Sequence, residues 1–464
     1  MSAAAPAGVP LSLSERVRQA PTPSWLRGFM RGVWGLAGVL FAVGALMLYG
    51  AYGAIKTVGL DTAPSIIYAQ QISAALADLD ANAGNYLLGT RQNQLDATKT
   101  FEAQRVVVTT QLIEAAKNIT YESERAPIGK LFDGLGRYLE LFAEMRYRKD
   151  LGDAAGALGV YLNATDLMHQ QMLPAADALD KVNFDAMESR YEEQQSRSEG
   201  AEATVGLLAA ALLGALIWAQ VFLFRKTRRV LNLPLVVATV VSLALGGYLV
   251  STIAAARADL KVAKKDAFDS IHALWQAASV AYDANGDETR YVLGGTRAPS
   301  FEQAYRDKVK KLTAIPQPDA SLSALFKHNF TAGQVPASYT GYFADEMRNI
   351  TFPGERAAAA KMVEAFAEYD KIDGKIRATE RAGRHADAVE LCIGGGDRQS
   401  NAVFGRFFAA LKEVADLNRR EFDARVSEGM RALEVAGLVL PVAALLISFL
   451  ALFGIRRRLR EYAA

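Results

Sequence analysis

The sequence predicts an all-α protein with four transmembrane helices and two tandem exported helical domains, each resembling a four-helix bundle. Three observations predict it. Four uncharged apolar runs are long enough to cross a bilayer, basic residues cluster beside them, and the apolar residues between them recur every three or four positions without period-two alternation.

Taken in order, residues 1–32 form a cytoplasmic segment and the first span covers 33–54. An exported domain at 55–202 leads to the second span at 203–224, and a basic loop at 225–231 leads to the third at 232–256. The second exported domain, 257–433, carries an insertion near 313–343; the fourth span, 434–455, and a tail, 456–464, follow. At roughly 1.5 Å per helical residue, each run spans a hydrocarbon core about 30 Å thick. Arg27 and Arg31, the loop residues Arg225, Lys226, Arg228 and Arg229, and the tail residues Arg456 to Arg458 mark the sides that stay inside. Both termini are therefore expected in the cytoplasm of a bacterial cell, with the first run an uncleaved anchor in the plasma membrane.

Within the exported segments, Tyr68, Ile72, Ala75, Leu79 and Tyr86 form one apolar stripe, and Leu274, Ala277, Ala281, Ala284 and Tyr291 form another. Breaks are expected at Gly89-Thr90, at Asn118 to Thr120, at Leu151 to Asp153 and around Asn163 to Thr165, giving about four helices per domain. No Gly or Pro interrupts 257–285, so the third span and the helix after it should be one rod, with a similar rod from Pro174 into span two. Gly59 and Pro64 predict a hinge in the exit from span one. Gly38, Gly44, Gly206, Gly214, Gly246 and Gly247 favour close helix packing in the membrane.

The chain reads as an internal duplication. Gln71, Asp78, Tyr86, Leu88 and Gly89 recur as Gln276, Asp283, Tyr291, Leu293 and Gly294 at an offset of 205 residues. Gly152 and Gly383 pair at 231, and Phe184 and Phe422 at 238, so the second half carries insertions.

Composition narrows the class further. The formal net charge of +2 gives no reason to expect a nucleic-acid partner, and the single cysteine, Cys392, excludes an intrachain disulfide. No phosphate-binding loop, dinucleotide fingerprint, zinc-protease motif or Cys-x-x-Cys pair occurs, and His169, His272, His328 and His385 lack metal-ligand spacing. No catalytic residue, metal site or cofactor is expected, and the chain is not read as an enzyme. Asn118-Ile-Thr, Asn163-Ala-Thr, Asn329-Phe-Thr and Asn349-Ile-Thr match the glycosylation pattern and are given no weight.

Gln71 with Asp78, and Gln276 with Asp283, share helix faces; each pair reads either as a ligand-binding patch or as a buried polar layer fixing register. Tyr86 and Tyr291 join this set, and Arg290, which faces Asn85 in the repeat alignment, is a candidate for capturing a carboxylate. His328, Phe330, Tyr339 and Tyr342 on the insertion, and Arg225, Arg228 and Arg229 in the loop, are candidates for docking partners.

The stretches AQQISAALADLDANAGNYLLG and DSIHALWQAASVAYDANGDETRYVLGG resemble the exported regions of GlnX-type actinobacterial membrane signalling proteins. The wider arrangement is similar to the four-helix-bundle sensory domains of bacterial chemoreceptors and histidine kinases. The resemblance implies a relay, with an exported solute-binding protein, amino-acid related, and a cytoplasmic signalling protein such as a Ser/Thr kinase as partners. The expectation is thus a signal-transduction receptor, with a homodimer as one assembly it allows; the alternative is a non-enzymatic scaffold or accessory subunit of a membrane complex.

Overall fold

A computed structural model describes residues 22–227, 232–314 and 335–460. The described chain is helical, and no strand occurs among these residues beyond a single bridge between Ala314 and Thr340. Four long helices are each long and apolar enough to cross a membrane: α1 (Thr22–Leu88), α4 (Ala154–Lys226), α5 (Leu233–Leu293) and α10 (Ser400–Arg460). Between α1 and α4 lie α2 (Arg91–Lys117) and α3 (Arg125–Asp150). Between α5 and α10 lie α6 (Ala298–Leu312), α7 (Tyr342–Arg348), α8 (Glu355–Arg381) and α9 (His385–Ile393).

The chain divides into two compact units. One, the span unit, comprises Met1–Ala54, Glu193–Ala258 and Glu428–Ala464, and contains all four sequence-predicted spans. Its helices close a ring. Phe29 of α1 meets Trp218 of α4 edge-on at 5.2 Å, Gln220 of α4 donates to Thr239 of α5 at 2.7 Å, Asn232 beside α5 donates to the Gly454 carbonyl of α10, and Trp34 of α1 donates to the Ser448 carbonyl of α10. Three of the expected small-residue contacts occur: Gly44 lies against Leu440, Gly246 against Ala209, and Gly206 near Val250. Gly38, Gly214 and Gly247 instead have open space where a Cβ would stand, so only part of the glycine pattern belongs to packing. Tyr49, Leu207, Leu438 and Leu445 are largely exposed, which suits a lipid-facing surface.

The other unit comprises Ile55–Glu192 and Asp259–Ser427, so most of both predicted exported segments lies in one compact body, while 193–202, 257–258 and 428–433 fall in the span unit. Its axis is the α1–α5 pair. One core, on the α1 side, stacks Phe101 on Phe142 at 3.7 Å and includes Tyr138, Tyr161 and Met172. The other, on the α5 side, gathers Phe343, Phe366, Tyr369, Phe404 and Phe407, and takes in Ala74 from α1. Four helices supply the first core because α1, α2, α3 and α4 each present an apolar stripe toward it.

The breaks at Gly89-Thr90, Asn118 to Thr120 and Leu151 to Asp153 fall where the sequence places them; Gly152 takes the left-handed conformation (φ 79°) and Gly383 does the same (φ 74°). The break expected around Asn163 to Thr165 is absent. Helix α4 runs through it because Thr165 points inward and donates to Asp80, and a π-turn at Met168–Met172 absorbs the approach to Pro174. No hinge opens at Gly59 and Pro64 either. A π-turn at Thr57–Thr62 precedes Pro64 in the first turn of the next helical stretch, where its missing N–H costs little. The rod expected through span three is continuous, with a π-turn at Val262–Phe268, which is the α1 position shifted by 205 residues.

The π-turns at Thr57–Thr62 and Val262–Phe268 are each clamped by an asparagine from a loop. Asn118 donates to the Asp61 carbonyl at 3.0 Å and to Ser65 at 2.7 Å. Asn349 donates to the carbonyls of Lys265 and Asp266 and to Ser270 at 2.9 Å. A π-turn disrupts the regular ladder, and these amides fill the carbonyls it frees. Behind each asparagine a glutamate secures the loop: Glu124 accepts from the backbone N–H of Thr120 and Tyr121, and Glu355 from that of Thr351 and Phe352. Asn349→Ala is expected to destabilise this unit by about 1–3 kcal/mol through the unmet carbonyls; urea unfolding of the variant beside the parent measures it.

Candidate functional site

Two clefts flank the α1–α5 pair within this unit. The first, of about 580 Å³, is lined by Ser73 of α1, Asp177, Asp180 and Phe184 of α4, Gln276 and Asp283 of α5, Lys308 and Lys311 of α6, and Tyr342 of α7. The second, of about 460 Å³, is lined by Asp78, Asn82 and Asn85 of α1, Asn93 and Asp96 of α2, Tyr282 and Asn285 of α5, Glu390 of α9 and Asn401 and Phe404 of α10. Each is therefore built by both halves of the chain.

A buried ion network forms the floor beside the first cleft. Arg290 has no exposed surface; it donates to Asp80 at 2.5 Å, to Asp283 at 3.3 Å and to Asp287. Lys308 reaches Asp283 at 2.7 Å and also pairs with Asp287, and His169 lies 2.8 Å from Asp283. Tyr138 donates to Asp80 at 2.7 Å, with Thr165 at 3.1 Å. Burial pushes the Asp283 carboxyl up, but Lys308, His169 and Arg290 together hold it well below the usual carboxylate range. Burial alone would favour a neutral Arg290; Asp80, Asp287 and Asp283 keep it charged.

The mouth of this cleft is bipolar. Asp180 pairs with His272 at 3.0 Å, whose ring stacks on Phe184 at 4.3 Å and lies 3.4 Å from the amide of Gln276. Asp177 and Lys311 line the opening and are exposed. Such a wall offers acceptors for an ammonium group and a donor for a carboxylate.

The sequence-predicted site residues separate. Gln276 and Asp283 line the first cleft, while Asp78 lines the second. Gln71 lines neither; its neighbour Gln70 reaches the first. Tyr86 and Tyr291 are buried core rings, the first against Phe142 and Arg146 and the second under the Arg377 guanidinium at 4.6 Å. Both terminal nitrogens of Arg290 are taken by carboxylates of its own chain, while its buried Nε has no partner, so it anchors the two halves rather than facing open space. Tyr342 lines the first cleft, but Tyr339 is buried with its hydroxyl on Thr313, which removes it from any docking surface. Arg225 is exposed; Arg228, Arg229, His328 and Phe330 lie outside the described residues. Sequence reasoning missed Asp80, Asp287 and Lys308, whose only signal is their clustering once α1 and α5 pack together.

Away from the clefts, Glu346 is buried and, with Glu355 beside it, pushed up to about 8, burial being the larger cause. A carboxyl raised in this way adds stability that is complete below its unfolded value of about 4.3 and is lost as pH rises towards 8. The melting temperature is thus expected to fall between about pH 5 and about pH 8, and Glu346→Gln to flatten that fall.

The fold defines a helical protein with four helices long and apolar enough to cross a membrane and a body whose two cores meet at α1 and α5. Residues 54–192 match the family of actinobacterial sensor domains, which supports a sensory role for that segment; its limits coincide within one residue with the Ile55–Glu192 part of the body. No curated protein and no solved structure matches the chain.

Proposed function

We propose that the chain is a bacterial plasma-membrane signalling receptor whose body faces outward and detects a small ligand, free or delivered by a solute-binding protein, in the bipolar cleft. The match of residues 54–192 to a sensor domain carries this reading, and the cleft walled by both halves supports it. A ligand held between the halves has differential affinity for two packings of α1 against α5, which is the requirement for relaying its presence. The four helices that carry the span segments also contribute to the body, so a shift along α1 or α5 has a covalent route out of it. Output then falls to a separate cytoplasmic signalling protein, such as a Ser/Thr kinase, docking on basic residues including Arg225. The halves themselves are read as an internal duplication, supported by the repeated π-turns, asparagine clamps and left-handed glycines.

Amino acids, with an ammonium and a carboxylate, fit the bipolar mouth. Thermal shift of the purified full-length protein against an amino-acid panel is expected to show a saturable rise that Asp180→Asn and Lys311→Ala reduce. A flat response to the whole panel, alone and with exported binding proteins, would point to the scaffold reading. For topology, Ser123→Cys in intact cells is expected to react with an impermeant maleimide; protection there, with labelling only after lysis, contradicts the outward-facing body.

A further inference from the structure

The second cleft is the first one rebuilt without its cations. At the 205-residue offset Asp283 corresponds to Asp78, Asp287 to Asn82, Arg290 to Asn85, and Asn285 to Asp80. On α2 and α6 the offset is 204: Ala97, Phe101 and Val108 align with Phe301, Tyr305 and Leu312, all six of them buried, and this places Gln104 opposite Lys308. Tyr138 on Asp80 has its counterpart in Tyr369 on Asn285, at an offset of 231. Around Asp283, an arginine and a lysine of the chain itself supply the positive charge. Around Asp78, an asparagine and a glutamine stand in their places.

That exchange leaves acceptors without donors. Asp78 is 7% exposed, has no cation in contact, and accepts only from Asn82 at 2.7 Å and from Gln104. Burial accordingly pushes its carboxyl up to about 7, with Gln104 and Asn82 opposing only in part. The side-chain oxygen of Asn285, a residue 4% exposed, accepts no hydrogen bond, and neither does that of Asn82. Both residues line the cleft, which has no Lys or Arg in its wall, carries Asp96 and Glu390 at its edge, and presents Tyr282 against Phe404 with ring centroids 5.1 Å apart. Among the described residues no group of His, Cys, Asp and Glu is arranged to hold a metal ion. A small organic cation with N–H donors satisfies what remains, and the aromatic wall suits it.

We propose that this second cleft binds a small primary-ammonium compound lacking a carboxylate, whose ammonium takes the place beside Asp78 that Lys308 holds beside Asp283. The site is independent of the bipolar cleft and of any relay, so it stands or falls separately.

Calorimetric titration of the full-length protein with putrescine and with ethanolamine tests it. At least one is expected to bind saturably at neutral pH, and Asp78→Asn to weaken it by about tenfold or more. Gln104→Lys supplies the missing ammonium from within and reproduces the arrangement already folded around Asp283; it is expected to abolish binding while raising the melting temperature. Absence of saturable heat with both amines overturns the proposal. Unchanged binding in a folded Gln104→Lys protein, or equal binding of uncharged myo-inositol, overturns it as well.

Discussion

Replacing Arg290 with glutamine is expected to destabilise the body by about 3–5 kcal/mol, the usual cost of removing one partner from a buried charge cluster. The variant would leave Asp80 and Asp287 with almost no exposed surface and only Lys308 and the hydroxyls of Tyr138 and Thr165 to answer them. Glutamine keeps a donor but not the charge, so the desolvated carboxylates lose their counter-ion. Because Arg290 sits on α5 and Asp80 on α1, the loss should appear in both halves together, as one cooperative transition at lower urea. Asp80→Asn added to Arg290→Asn imitates the Asn285 and Asn85 pair on the opposite side and is expected to recover part of the loss. Urea titration with hydrogen exchange of each half follows both variants.

Phe366→Ala is expected to cost about 3–5 kcal/mol as well, by a different mechanism. Its ring is fully buried, edge-on to Phe343 and Phe407 at 5.1 Å each and tilted against Tyr369 at 5.9 Å. These neighbours come from α7, α8 and α10, so they are held by separate helices and close the void only partly. Since Ala74 of α1 belongs to the same core, the protection of α1 amides should fall with that of α8. Loss of protection confined to α8 would mean that the two cores unfold independently.

The helical elements and the spans were legible because long apolar runs and three-to-four spacing leave few alternatives. Asp78 and Asp283 stood out in the sequence because they recur at a fixed offset on polar faces of their helices, but whether they line a cleft or form a buried polar layer was open there. The pairing of Asp80 with Arg290 was not: the two are 210 positions apart, and only the α1–α5 contact brings them together. Asn163 to Thr165 resembled a loop because Asn and Thr disfavour helix interiors when solvent-exposed; here Thr165 is buried and bonded to Asp80. Asn118 and Asn349 were set aside as accidental glycosylation patterns. The signal that marks them is longer: Asn-Ile-Thr, an aromatic residue, two further positions and Glu, at Asn118 to Glu124 and again at Asn349 to Glu355, 231 residues apart. Its meaning is structural, since the glutamate holds the loop and the asparagine holds the π-turn. The π-turns themselves left no trace that composition or periodicity reveals, because a shift in hydrogen-bond register barely alters which residues face inward.

The joining of the two halves through α1 and α5 underlies the clefts, the ion network and the receptor reading alike. Ser73 of α1 and Ser279 of α5 place their hydroxyl oxygens 2.7 Å apart across that contact. With Cys392 changed to alanine, Ser73→Cys and Ser279→Cys should oxidise to an intramolecular disulfide within a single chain, seen as a faster-migrating monomer on a non-reducing gel. Two thiols that stay free under mild oxidation, or that link only separate chains, contradict the paired body on which the account rests.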